Sequence, residues 1–237
     1  MKYLKTYDKL FESNSTVITL EKESDWNLVN DSTTKIIVDY KCNKLHELPN
    51  SLQQLDCSNN QLTELPELPK HLTCLYIVNN NIEYLPELPN SLRYLFCWNN
   101  SIKEIIKLPE SLIEFNCSKN KLTKLPELPN KLELLGCSNN NLTELPDFPK
   151  TLKYVYIGEN PLNKLPNGIS EETIKQQFKA NKKWFNDNVI TWIINKPTDY
   201  NILKDYLSEE NKEKLENEHP EIISQNQFGM FGLKNQK

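Results

Sequence analysis

Arginine occurs once in the 237 residues, at Arg93, histidine three times, methionine twice and glycine five times. A single guanidinium removes the bidentate fork on which phosphate clamps depend. The net charge of −4 gives no general attraction to nucleic acid or to an anionic membrane. Gly136, Gly158, Gly168, Gly229 and Gly232 are scattered, so there is no glycine-rich phosphate loop. His46, His71 and His219 share no spacing that would mark a metal or acid–base site, and they read as surface or structural residues. No apolar run reaches the length of a membrane span. Charge throughout Met1 to Glu12 argues against a secretory signal.

What the chain does have is a repeat. Asn60, Asn80, Asn100, Asn120, Asn140 and Asn160 recur every 20 residues. The segment from Leu72 to Pro89 returns as Leu92 to Pro109, Leu112 to Pro129 and Leu132 to Pro149, and a shorter copy ends in Asn43, Leu45, Leu48 and Pro49. That makes about seven copies, and self-similarity at such a period marks a stacked-coil architecture. In each copy Leu-x-Cys/Ile alternates apolar with variable residues, which predicts a short strand with one buried face. The asparagine turns the chain, because its amide can bond backbone groups that no ladder satisfies inside a coil. Prolines at the next corners fix φ and remove donors, so the return path is expected to be extended rather than helical. One coil cannot bury its own leucines, whereas stacked coils can. Six steps of parallel sheet at about 4.8 Å would span roughly 29 Å.

The pattern Leu-x-x-Leu-x-Cys/Ile-x-x-Asn-x-Leu-x-x-Leu-Pro-x-Leu-Pro over residues 36 to 166 resembles the leucine-rich repeat. Its twenty-residue form resembles the bacterial subclass found in YopM- and IpaH-type effectors. The resemblance implies an α/β-type horseshoe of short parallel strands with an extended, non-helical convex side, closed by an N-terminal cap and a helical C-terminal cap. IpaH ligases carry a catalytic cysteine beyond the repeats. Here no cysteine follows Cys137, so that activity is not carried over. No catalytic residue and no cofactor are expected.

All six cysteines, Cys42, Cys57, Cys74, Cys97, Cys117 and Cys137, lie in the repeats. Cys57, Cys97, Cys117 and Cys137 share the slot that Ile77 and Ile157 fill in other copies, and so act as small hydrophobes. Equivalent side chains on adjacent parallel strands are poorly placed for disulfides. A reduced, cytoplasmic setting follows, the host cytoplasm for a delivered effector or a viral protein. A metal along the cysteine ladder would lack histidine partners and Cys-x-x-Cys spacing, so no metal is expected.

Residues 1–35 read as a capping segment, with Leu4, Tyr7, Leu10 and Phe11 at helical spacing, a strand over Thr16 to Leu20 and Trp26 in a turn or short helix. A second strand, Lys35 to Tyr40, leads into the repeats of 36–166. Residues 167–224 read as a helical cap. Ser170 is its N-cap, helical spacing runs up to Asn195, and further helices cover Asp199 to Leu207 and Glu209 to Glu218. Residues 225–237, with Phe228, Met230, Phe231 and Leu233, read as a flexible tail.

The repeats are informative as a surface. Residues flanking the second leucine of each copy face away from the core, because side chains alternate across a strand. Cys74, Tyr76, Val78, Tyr94, Phe96 and Trp98 therefore gather on the concave face, and Tyr154 and Tyr156 form a second group near its far end. Aromatic anchors of this kind make protein-binding hot spots. The expectation is a non-catalytic protein–protein interaction module, with a protein partner and neither nucleic acid nor membrane. The rival reading is that a cap or a second copy of the chain covers these rings. Two further alternatives are an activity housed in residues 170–237 and a carbohydrate-binding solenoid. Base stacking on the rings would lack basic neighbours, since Asp39, Asp56 and Glu114 flank the patch.

Overall fold

The computed structural model describes residues 16–162 and 209–220. Eight strands lie in one sheet in sequence order, and every neighbouring pair is parallel. They are β1 (Thr16–Leu20), β2 (Thr33–Val38), β3 (Gln54–Asp56), β4 (Cys74–Tyr76), β5 (Tyr94–Phe96), β6 (Glu114–Asn116), β7 (Leu134–Gly136) and β8 (Tyr154–Tyr156). From β3 onward the register steps by 20 residues, pairing Leu55 with Leu75, Leu75 with Leu95 and Leu95 with Phe115. This is the leucine-rich repeat solenoid that the repeat implied.

The strands are short because only Leu-x-Cys/Ile alternates. Within residues 39–162 the return path contains no helix, as the prolines require. Leu55, Leu75, Leu95, Phe115 and Leu135 are fully buried, and so are Cys57, Cys97, Cys117 and Cys137 beside Ile77 in the shared slot. These thiols pack as hydrophobes; all six cysteines are free and buried.

Each repeat asparagine ties two coils together. Asn80 Oδ1 accepts the Leu62 N–H of the coil before it at 3.0 Å, while Nδ2 donates back to Cys57 O at 3.0 Å and to Ile77 O at 3.3 Å. Asn120 and Asn140 make the same set. The preceding residue takes positive φ in every coil, at Asn59, Asn79, Asn99, Lys119, Asn139 and Glu159. Asparagine tolerates that region best among residues with a Cβ, which accounts for the run of paired asparagines.

The sheet extends one strand further toward the N-terminus than the repeat predicts. β1 pairs with β2 in parallel, giving seven steps and roughly 34 Å of sheet at about 4.8 Å per step. Between them a 3-10 helix spans Glu23–Leu28 with Trp26 buried, and Asp25 Oδ2 accepts the N–H groups of Glu21 and Lys22 at its start. Beyond the repeats, helix α1 spans Glu209–Glu218 as its composition predicts, with Leu215 buried. The helix expected in residues 1–12, those expected over 170–207 and the tail at 225–237 lie outside the described residues.

Candidate functional site

Register places the residues opposite the core in rows along the solenoid axis. One row runs Lys35, Gln54, Cys74, Tyr94, Glu114, Leu134, Tyr154; the next runs Ile37, Asp56, Tyr76, Phe96, Asn116, Gly136, Tyr156. A third row, just past the strands, holds Asp39, Ser58, Val78, Trp98 and Ser118. The N–H groups of Asn59, Asn79 and Asn99 bond Val78 O, Trp98 O and Ser118 O and hold this row in step. The eight residues singled out from the sequence thus fall on one face, four of them on the adjacent strands β4 and β5 with Val78 and Trp98 just past those strands.

Their environments differ. Tyr76 and Phe96 are half-buried, with ring centroids 5.2 Å apart and planes within 4°. Val78 and Trp98 are also half-buried. Tyr154 and Tyr156 are 48% and 41% exposed. Cys74 and Tyr94 depart from the open positions expected of them, at 2% and 7% exposed. The Cys74 side chain is too short to rise between its neighbours, and the Arg93 guanidinium lies 5.7 Å from the Tyr94 ring centroid. Burial pushes the Cys74 thiol up to about 11, and it also raises the Tyr94 hydroxyl. Cys74 is therefore neither a reactive thiolate nor a contact surface, because the nucleophile is the ionised form.

Farther along the face the surface turns small and polar. A Cβ added at Gly136 would lie 2.6 Å from Asn116 Cγ, so the Asn116 amide rests on the Gly136 backbone. Asn116 Oδ1 also accepts the Ser118 N–H at 3.0 Å.

One cluster was not legible in the repeat. Trp26 Nε1 donates to Tyr40 Oη at 2.9 Å, Tyr40 donates to Glu23 Oε2 at 2.6 Å, and His46 Nε2 lies 2.6 Å from Glu23 Oε1. The His46 ring stacks on Trp26 with centroids 4.9 Å apart. The hydrogen bond from Tyr40, then that from His46, holds the Glu23 carboxyl below its usual value. Burial, then the bond to Glu23, pushes the Tyr40 hydroxyl up to about 12. Glu23, Tyr40 and His46 edge a cleft of about 760 Å³. The network closes on itself and fastens the 3-10 helix to the first coil. Among the described residues no group of three His, Cys, Asp or Glu side chains could hold a metal ion, and no helix is long and apolar enough to cross a membrane.

The Leucine Rich Repeat family model matches residues 51–72. No curated protein sequence matches the chain. Among solved structures, a Shigella effector LRR domain is similar at 26% identity and a TM-score of 0.55, over 77% of this chain and 93% of that one. YopM from Yersinia enterocolitica WA-314 is 30% identical over 59% of this chain, with a TM-score of 0.47. YopM from Yersinia pestis, a leucine-rich effector protein, is 34% identical over 57% of this chain, with a TM-score of 0.43. The alignments span only 38% and 51% of those two YopM chains. The chain folds as a solenoid of leucine-rich repeats, and its twenty-residue repeats are similar to those of the Shigella effector LRR domain.

Proposed function

We propose that the protein is a non-catalytic interaction module that binds a protein partner on the concave face of its solenoid. Leucine-rich repeat solenoids are typical protein-interaction modules, and the observation that carries the reading here is the parallel stack of Tyr76 on Phe96. Two rings held at strand spacing by the sheet lose little side-chain freedom on binding. Val78 and Trp98 extend the same apolar strip, and Tyr154 with Tyr156 supplies a second contact. Cys74 and Tyr94 lie beside the strip in the adjacent row of the same face and are buried. The six free cysteines favour a reduced compartment, the cytoplasm of the producing cell or of a host.

The test is affinity capture with wild type beside a Tyr76→Ala, Phe96→Ala, Trp98→Ala triple variant, once circular dichroism shows both folded. Proteins retained by wild type, lost by the variant and still retained by a chain truncated after Pro220 are the expected result. Identical captures by wild type and variant would overturn the reading.

A further inference from the structure

Two carboxylates, Asp39 and Asp56, stand on the β3 side of the aromatic strip. The parallel Tyr76 and Phe96 rings are 5.2 Å apart, close to one strand step, so both stand across the solenoid axis. The outer face of Tyr76 therefore turns toward β3, where its register partner is Asp56. Asp56 Oδ1 accepts the Ser58 N–H at 3.0 Å, which orients the carboxylate. Asp39 is exposed at the end of β2, in the row that continues through Ser58 to Val78. Among the described residues neither carboxylate is paired with lysine, arginine or histidine. Of the nearby cations, Lys35 registers with Gln54 and Arg93 lies against Tyr94, both in the other row, while Lys41 Nζ donates to Asn59 O just past Ser58. On its far side Phe96 and Trp98 meet uncharged Asn116 and Ser118, while Glu114 stands in the other row beside Tyr94.

An aromatic face beside a carboxylate attracts a cation twice, through the ring quadrupole and through the charge. Resting on the concave-face reading above, we propose that the partner is an extended peptide segment with a lysine or arginine two positions from an apolar residue. The basic side chain seats between Asp56 and the outer face of Tyr76. The apolar one lies on Phe96, Val78 and Trp98. The distance from the β3–β4 gap to β5 is about one and a half strand steps, roughly 7 Å, which matches residues i and i+2 of an extended chain.

The experiment pans a displayed library of random twelve-residue peptides on the immobilised full chain, with the Tyr76→Ala, Phe96→Ala, Trp98→Ala variant for counter-selection. Enriched peptides are synthesised and measured by fluorescence polarisation against wild type and Asp56→Asn, which keeps the oxygen that Ser58 bonds. The expected result is enrichment of Lys/Arg-x-apolar sequences, about tenfold weaker binding to Asp56→Asn, and weakening by salt. Replacing the basic residue by glutamine should make wild type and Asp56→Asn bind alike. Apolar peptides that bind both proteins equally would overturn the basic anchor and leave the concave-face reading standing. No enrichment over the triple variant, or retention of oligosaccharides from a glycan array instead of peptides, would overturn both.

Discussion

Asn80 Oδ1 accepts the backbone N–H of Leu62 at 3.0 Å across the boundary between two coils. The same amide donates to Cys57 O and Ile77 O, so one side chain satisfies backbone groups of two repeats inside a buried turn. Replacing it by alanine orphans all of them, and leaving buried groups unpaired costs about 1–3 kcal/mol each before relaxation. Asn80→Ala is expected to lower stability by about 3 kcal/mol, measured by urea unfolding. Asn80→Asp, which keeps the acceptor and loses the donors, should also destabilise.

Lys119 and Glu159 occupy the positive-φ corner at φ 54° and 56° where the other coils place asparagine. In those coils Asn79 Nδ2 donates to Asn59 Oδ1 at 2.6 Å and Asn99 Nδ2 to Asn79 Oδ1 at 2.7 Å. Lys119→Asn removes a strained side chain and places an amide next in line to Asn99. A gain of about 0.5–1 kcal/mol is expected, read as a higher melting temperature.

Gly136 and Asn116 are coupled across β6 and β7, because the amide occupies the space of the missing Cβ. Gly136→Ala should push Asn116 off its bond to Ser118 and destabilise by about 1–2 kcal/mol. Combining it with Asn116→Ser should recover most of the loss, and a double-mutant cycle by urea unfolding measures the coupling.

The Glu23, Tyr40 and His46 cluster ties N-terminal stability to pH in two windows. The Glu23 carboxyl is held below its ordinary value of 4.5, so its contribution is present above 4.5 and is lost as pH falls through the lower folded value. The Tyr40 hydroxyl is raised from 10 to about 12, so its contribution is complete below pH 10 and is lost as pH rises through about 12. Trp26 fluorescence during thermal melts should show wild type more stable than Glu23→Gln at pH 7, with the difference vanishing in acid. Wild type should likewise exceed Tyr40→Phe at pH 9 and lose that margin toward pH 12.

The thiols of Cys57, Cys97, Cys117 and Cys137 are fully buried, and burial raises Cys97 to about 12. At pH 8 a thiol-specific chromophoric reagent should leave these four unmodified in the native chain and modify all six cysteines in denaturant. Rapid native labelling at Cys97 would contradict the packed coil.

The twenty-residue period by itself determined the coil, the leucines of the core, the asparagine corners, the cysteine slot, the helix-free return path and the face carrying Tyr76 and Phe96. It could do so because each of those contacts joins a residue to its equivalent one repeat away. The tertiary structure decided what departs from the period. β1 joins the sheet although Thr16 to Leu20 carries no repeat, since any strand of matching length can extend a parallel edge. Glu23 meets His46 across 23 residues of unlike sequence, a contact that no periodicity announces. Within the candidate site, residue identity indicated which side chains share the face but not their exposure. Cys74 and Tyr94 are buried while Tyr154 and Tyr156 stand open, because exposure depends on the height and lean of the side chains on adjoining strands, and these vary from coil to coil while the backbone repeats.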